Sequence, residues 1–150
     1  MQAPAPENAF QAAHAGLIME SFARLLGRPL LADADAKALY HADMIVLSHD
    51  GADDPVLTYG NLAAQRLWEM SWEALTALPS RLTAEPTERA LRDAMFAQMR
   101  EKGFIEDYAG IRISATGKRF EIQNAVIWPL LDENGVKQGE AACFADYAFL

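Results

Sequence analysis

Few residues in this chain have the types and spacing that catalysis or metal binding requires. The three histidines, His14, His41 and His49, show neither HxxxH nor HExxH spacing, so the sequence predicts no zinc or haem site. Ser48 and His49 are neighbours on an expected strand and point to opposite faces, which argues against a nucleophile–base pair. The aspartates beside His49 lack EF-hand spacing and are interpreted as a solvated turn. The sequence therefore predicts no catalytic residue and no metal site.

Two polar side chains interrupt strands that are otherwise apolar. Arg112 lies close to Gly110, where a backbone or a ligand could approach closely. Its guanidinium could clamp a carboxylate through two hydrogen bonds, or it could pair with Glu121 or Asp107 across a hairpin. Asn124 falls on the apolar-facing side of the next strand, so its amide is explained either by a ligand or backbone partner, or by a bulge or a water. Both residues are candidates for a binding site.

The helices that would position these residues are marked by capping residues at their first turns. Side chains suited to the N-cap precede four apolar stretches at helical spacing: Asn8, Asp33 or Asp35, Asn61 and Ser71. Gly27 is a stop signal for the first of these helices. A longer helix is expected from about Glu85 to Gly103, with exposed i,i+4 pairs Glu85–Arg89 and Glu88–Arg92.

Five strands are predicted from short β-prone runs and from a change to period-2 alternation. Residues 44–48 and 56–59 form an expected hairpin around an aspartate-rich turn. After Gly103, three further antiparallel strands are expected over about 104–113, 120–130 and 137–148. Unbroken alternation would place Ile105 opposite Tyr108 in the first of these. It would also place one apolar set together on one face of the second: Phe120, Ile122, Val126, Trp128 and Leu130.

The expected fold class is α+β, a five-stranded antiparallel sheet with helices on one face, preceded by N-terminal flanking helices. This order of elements matches the PAS fold. Of the 150 residues, 1–7 are interpreted as a flexible tail, 8–42 as the flanking helices and 43–150 as the PAS-like core of a single domain.

Composition restricts the partners. The net charge is −8 and the chain has no Lys/Arg cluster, which disfavours nucleic acid and anionic membranes as direct partners. No run approaches the roughly 20 apolar residues that span a bilayer. Because the first residues show neither a basic leader nor an apolar segment, a cytoplasmic protein is expected.

Longer stretches resemble a known family. Residues 57–64, Leu-Thr-Tyr-Gly-Asn-Leu-Ala-Ala, resemble the PAS pattern in which the second strand delivers a capping asparagine. Further stretches resemble the MEKHLA family, a PAS-like domain: 45–50, 55–80 with the centre LWEMSW, 103–114 followed by 117–120, and 139–144. The resemblance extends from about residue 10 to the C-terminus. It implies a sensory or regulatory role, as in free-standing bacterial members and in plant homeodomain–leucine-zipper regulators, and it supplies no catalytic residue.

A PAS-like fold implies a cavity between the sheet and its helices. Besides Arg112 and Asn124, the side chains expected to line it are aliphatic, aromatic or sulfur-containing: Tyr59, Leu67, Trp68, Met70, Trp72, Met95, Met99, Trp128 and Cys143. Such walls suit a small apolar or planar guest, and plain core packing is the alternative. The single cysteine has small apolar neighbours, which are typical of an inert buried thiol. No cofactor is identified.

The sequence is consistent with three functions. The first is a PAS-like sensory domain that binds a small molecule and signals through protein–protein contact. The second is a ligand-free interaction or dimerisation module. The third is a small α+β cone enzyme of isomerase or dehydratase type, which requires Asp107 and a histidine to converge in a deep pocket. The first helix is expected either to pair with its copy in a homodimer or to cover its own sheet.

Overall fold

The computed structural model describes residues 1–84, 93–95, 97, 99–101 and 103–150. Its helices are α1 (Ala12–Leu26), α2 (Ala36–His41), α3 (Leu62–Trp68) and α4 (Trp72–Leu75), with 3-10 turns at Pro6–Asn8 and Ser80–Thr83. Its strands are β1 (Ile45–Asp50), β2 (Leu57–Gly60), β3 (Ile105–Ile113), β4 (Arg119–Leu131), β5 (Lys137–Phe144) and β6 (Asp146–Phe149). Within this described part of the chain, no helix is both long and apolar enough to cross a bilayer.

The predicted long helix is described only in part. Residues 93–95, 97 and 99–101 are helical, and Gly103 follows them with a left-handed φ of 94° while its N–H donates to the Met99 carbonyl. The predicted start at Glu85 and the pairs Glu85–Arg89 and Glu88–Arg92 lie outside the described residues.

The strands form one antiparallel sheet in the order β2-β1-β5-β4-β3. The long strand β4 pairs with β5 along its second half, from Val126 onward, and with β6 along its first half, Phe120 to Gln123. The single final strand predicted over 137–148 is therefore two strands, separated at Ala145. Together they cover the same edge of β4.

Bulges in β3 and β4 change which side chains face α3 and α4. The register between the two strands shifts on both sides of Tyr108, and Asp107 and Asn124 each have a left-handed φ of 54°. One extra residue in a strand reverses its alternation. Ile105 and Tyr108 consequently pack into the same core. In β4, residues on either side of the bulge pack on opposite faces of the sheet. Phe120 and Ile122 face α3 and α4, whereas Val126, Trp128 and Leu130 face α1. The prediction of unbroken alternation is wrong for both strands.

The sheet separates two hydrophobic cores. On the face covered by α3 and α4, the core contains residues from three strands and from both helices: Ile45, Leu47, Leu67, Trp68, Leu75, Phe120, Ile127 and Phe144. On the other face, Val46, Trp128 and Leu130 pack with Ile18 and Phe22 of α1. Both faces are therefore covered, and the apolar side of α1 is occupied by its own sheet.

Hydrogen bonds fix α1 against β4. The Trp128 indole donates to the Ile18 carbonyl at 3.2 Å. Ser21 Oγ accepts from the Leu131 N–H at 2.9 Å and lies 3.2 Å from the Leu131 carbonyl oxygen. Of the two expectations for the first helix, the structure therefore has the one in which the helix covers its own sheet.

The first α-helix begins four residues later than predicted, and the residues before it contact the domain. The first α-helix begins at Ala12 and not at Asn8, because Asn8 Oδ1 accepts from the N–H groups of Ala5 and Gln11 and closes a separate turn. Residues 1–7 are also held against the domain. Pro4 is buried, and the Met1 carbonyl accepts a hydrogen bond from the Trp72 indole at 3.1 Å.

Asn61 connects three elements. Its Oδ1 caps α3 by accepting from the Ala64 N–H and also accepts from the Val46 N–H of β1. Its Nδ2 donates to the carbonyls of Leu39 and Met44, so the buried amide is fully used. Asp35 and Ser71 also cap helices as predicted, since their side chains accept hydrogen bonds from the N–H groups three residues later. Gly27 ends α1 as predicted, and its N–H donates to the Ala23 carbonyl.

Candidate functional site

A small cavity of about 60 Å³ lies between the sheet and the segment that follows α4. Its apolar wall comes from strands β1, β2, β4 and β5: Leu47, Leu57, Ile122, Ile127 and Phe144. Its polar lining comes from several elements: His49, Trp68, Ser80, Thr83, Arg112 and Glu140. A cavity with an apolar wall and a few convergent polar groups is the usual form of a small-molecule site.

Arg112 is a buried cation in this cavity. Only 6% of the residue is exposed. Its Nη2 donates to the Tyr108 hydroxyl at 3.1 Å and its Nη1 to the Ile111 carbonyl at 2.9 Å, and the guanidinium carbon lies 5.5 Å from the centre of the Tyr108 ring. The predicted alternative pairing with Glu121 or Asp107 is not among the ion pairs of the described residues.

Trp68 lines the cavity and carries a hydrogen-bond donor that no described residue uses. The side chain packs edge-to-face on Phe120 at 5.1 Å and is 2% exposed. Its Nε1 has no hydrogen-bond partner among the described residues. The other indoles differ, because Trp72 donates to Met1 and Trp128 to Ile18. A buried donor without an acceptor costs about 1–3 kcal/mol, and a ligand that offers an acceptor to this group would remove that cost.

Glu140 supplies the opposite kind of group. Lys137 forms a close ion pair with Glu140 Oε1. Glu140 Oε2 is buried and has no hydrogen-bond partner among the described residues, since His49 Nε2 lies 3.7 Å away. Among the described residues, the lining of the cavity thus includes an unused acceptor at Glu140 and an unused donor at Trp68.

The structure divides the predicted pocket residues between two places. Trp68 and Arg112 line the cavity, and Leu67 and Met99, with the partly buried Met70 and Met95, belong to the same core. The others lie on the opposite face of the sheet, in the core covered by α1: Tyr59, Trp72, Trp128 and Cys143. They cannot share a cavity with the first group because the sheet separates them.

Asn124 lies outside the cavity, and of the explanations open for its amide the structure has the bulge. It is exposed at the β4 bulge, where its Nδ2 donates to Asp146 Oδ2 at 3.2 Å. The bulge turns the side chain outward, so it does not line the cavity. The same physical cause explains Asp107, which is exposed at the β3 bulge and is not among the residues that line the cavity. The convergence that a cone enzyme requires is therefore absent around Asp107.

Two titratable groups on the α1 face are shifted by burial. Burial raises the pKa of the Cys143 thiol to about 11, which fits an inert thiol. Burial, with a smaller contribution from Tyr40, raises the pKa of Tyr59, whose hydroxyl has no partner among the described residues.

Two features of the site region had not been predicted. Glu140 falls at the same parity of β5 as Ala142 and Phe144, and a charge at that inward parity was the available signal. On the other face, His14 Nε2 lies 2.9 Å from Ser48 Oγ, which lies 2.8 Å from Thr58 Oγ1. No sequence spacing connects these three, because α1 brings His14 to the sheet from 34 residues away.

The aspartates after β1 serve the turn. Asp50 Oδ1 accepts from the N–H groups of Ala52 and Val56 and so closes the β1–β2 connection. Within the described ranges, no three His, Cys, Asp or Glu residues are grouped so as to hold a metal ion.

This sheet order, with its helix-covered face, is that of a PAS domain. A PAS domain from Colwellia psychrerythraea superposes with a TM-score of 0.65 and 15% identity, over 77% of this chain and 92% of that one. A light-oxygen-voltage domain studied with a flavin analogue gives 0.61 and 16% identity, over 77% and 83%. A variant of Vivid gives 0.62 and 14% identity, over 86% and 99%. These likenesses show the fold alone, and they confirm the predicted α+β PAS-like class.

The chain belongs to the MEKHLA domain family, which matches residues 12–149. The homeobox-leucine zipper protein HOX10 of Oryza sativa is 28% identical over 140 residues, covering 89% of this chain and 17% of that protein. HOX9 of the same species is 26% identical over 140 residues, covering 89% and 16%. The chain thus spans about one sixth of the length of these curated relatives. The predicted family is confirmed.

Proposed function

We propose that this chain is a regulatory domain that binds a small molecule between its helices and its sheet and passes the signal on through protein–protein contact. The PAS-type fold and membership of the MEKHLA family support a sensory role. The observation that carries the ligand is the pair of unused polar groups in the cavity, Trp68 Nε1 and Glu140 Oε2.

These two groups favour an occupied cavity over a filled core. Plain core packing leaves both without a partner, at a cost of about 1–3 kcal/mol for each neutral group and more for a charged one. A ligand with one acceptor and one donor satisfies both at once. The cavity volume, about 60 Å³, lies far below the roughly 300 Å³ of sites for drug-sized ligands, so the ligand is a small one.

The strands that line the cavity also offer a route for the signal. β1, β4 and β5 contribute to the cavity on one face and carry α1 on the other. A ligand that binds one arrangement of these strands more tightly shifts the population towards it. Such a shift should change most the two hydrogen bonds that hold α1 on β4, which join Ser21 to Leu131 and Ile18 to Trp128.

Native mass spectrometry of protein purified without denaturant tests the proposal. A reproducible small-molecule adduct that disappears after unfolding and refolding is the expected result. Trp68→Phe removes the indole donor but keeps an aromatic ring, so it should lose the adduct. Trp128→Phe makes the same change on the other face and should retain it. An adduct that is absent from wild-type protein, or equally present in both variants, would contradict the proposal.

A ligand-free dimerisation module is the second candidate, and β6 is the observation that favours it. β6 pairs with β4 along one edge, and it leaves large apolar side chains in solvent: Tyr147, Phe149 and Leu150. An antiparallel pairing of β6 with β6 of a second copy would cover both features and would satisfy two-fold symmetry. Sedimentation velocity should then show a dimer that Phe149→Glu dissociates. A monomer at all concentrations rejects this candidate.

A further inference from the structure

We propose that the helix–sheet cavity binds a small monocarboxylate, held by the guanidinium of Arg112. The inference rests on the proposed function and adds the charge and size class of the ligand. It also departs from the apolar or planar guest that the sequence predicts.

The first argument is the missing counter-charge of Arg112. The residue is 6% exposed, and both of its hydrogen-bond acceptors, the Tyr108 hydroxyl and the Ile111 carbonyl, are neutral. None of the ion pairs among the described residues includes it. Burial of a charge is unfavourable unless a partner of opposite charge accompanies it. An anion in the cavity supplies that partner.

The second argument is that Glu140 does not serve as this partner. Its Oε1 is engaged by Lys137, and its Oε2 lies 3.7 Å from His49 Nε2. Since Lys137 balances Glu140, no described residue compensates the positive charge of Arg112. The unused Glu140 Oε2 needs a donor from the ligand, so a small monocarboxylate that carries a hydroxyl fits better than a dicarboxylate, which offers this oxygen only further acceptors.

The third argument is the preorganisation of the guanidinium. A Cβ at Gly110 would lie 2.6 Å from the Tyr108 hydroxyl and 3.0 Å from Arg112 Nη1, so the glycine gives both side chains the room to lie over the strand. Of the five N–H donors of an arginine, two are used here. The free donors match the planar, two-oxygen geometry of a carboxylate.

The fourth argument is size and the position of Trp68. A volume of about 60 Å³ is that of roughly two water molecules, which suits a carboxylate with roughly one to three carbons. Phe120 pairs with Arg112 across the strands, and its ring lies 5.1 Å from that of Trp68. Trp68 therefore packs on the same face of the sheet as Arg112, and we assign its unused Nε1 as a further donor for the carboxylate.

Titration of the full chain with glycolate, lactate and acetate at constant ionic strength, followed by ¹H–¹⁵N NMR, tests the assignment. We expect saturable shifts with Kd values of about 1–100 μM, which the smallest ligands can reach and which leave part of the ligand on purified protein, and glycolate should bind more tightly than acetate because its hydroxyl can donate to Glu140 Oε2. Acetamide, a neutral analogue of acetate, and succinate, a dianion, should each bind at least tenfold more weakly. Arg112→Gln should lose acetate binding at least tenfold, and the exposed control Arg28→Gln should leave it unchanged.

Arg112→Lys keeps the test decisive if Arg112→Gln does not fold, because lysine retains the charge and loses the two-pronged geometry. It should bind acetate several-fold more weakly than the wild type. Equal binding of acetate and acetamide, or acetate binding that neither Arg112 variant reduces, overturns the carboxylate assignment and leaves the proposed function intact. An empty chain in native mass spectrometry together with no carboxylate binding overturns both.

Discussion

The two buried indoles Trp68 and Trp128 allow the unused donor to be measured as a stability difference. Both are nearly fully buried, at 2% and 0% exposed, and both pack edge-to-face on a phenylalanine, Phe120 at 5.1 Å and Phe22 at 4.9 Å. Replacement of either by phenylalanine removes the same atoms. The variants differ in one respect, since the Trp128 Nε1 has an acceptor and the Trp68 Nε1 has none.

The expected magnitude follows from this difference. Trp128→Phe loses a hydrogen bond with a net contribution of about 0.5–1.5 kcal/mol, in addition to the cost of the lost ring volume. Trp68→Phe incurs a similar volume cost but relieves a buried unsatisfied donor, which contributes about 1–3 kcal/mol in the other direction. Trp68→Phe should therefore be more stable than Trp128→Phe by about 1.5–4.5 kcal/mol.

Urea denaturation of protein that has been unfolded and refolded without ligand provides the assay. Matching m-values for the two variants would show that the comparison concerns stability and not a change in the unfolded state. The reasoning is refuted if the variants agree within about 0.5 kcal/mol, or if Trp68→Phe is the less stable one.

Three further predictions concern the framework of the fold. Asn61→Ala removes four hydrogen bonds at the junction of α2, β1 and α3, and thermal unfolding should show a loss of about 3–5 kcal/mol, whereas Ser71→Ala, which removes a single exposed cap, should lose about 1 kcal/mol. Burial lowers the pKa of His14, so the unfolded chain binds the proton more readily than the folded one. The free energy of unfolding of the wild type should therefore fall as the pH drops below about 6.5. In urea titrations over pH 7 to 5, the free energy of unfolding of His14→Gln should fall less. In Gly139→Ala the new methyl would lie 2.0 Å from the His49 carbonyl oxygen, and this clash should cost more than about 3 kcal/mol of stability or abolish folding. In the control Gly51→Ala the methyl meets no atom closer than 3.8 Å, so this variant should stay near wild-type stability. Equal melting temperatures for the two variants would contradict the predicted clash at Gly139.

Much of the fold could be predicted because its signals are local. N-caps at Asp35, Asn61 and Ser71 each involve a side chain and a backbone group three residues away, and the sequence places both. The turn at Asp132 is equally local, since its Oδ1 accepts from the N–H groups of Asn134 and Val136. Such signals determine the order of the elements, from which the PAS-like class follows.

The candidate site could be predicted only in part. Arg112 and Trp68 were found because a cation within an apolar strand and an aromatic beside a capped helix are visible in the sequence. Tyr59, Trp72, Trp128 and Cys143 were assigned to the same cavity because hydrophobic periodicity identifies buried residues but does not tell which face of a two-sided sheet they occupy.

The sequence by itself determined the elements, their order, the family and the burial of most apolar positions. The tertiary structure decided which side of the sheet each side chain faces, because the bulges at Asp107 and Asn124 depend on the pairing of β3 with β4. In the sequence, the polar Asn124 at an apolar-facing position left a bulge as one of several explanations. It also decided the charge balance of the cavity. Whether Arg112 meets a carboxylate depends on how β3 lies relative to β5, where Lys137 engages Glu140, and the relative position of these two strands exists only in the folded chain.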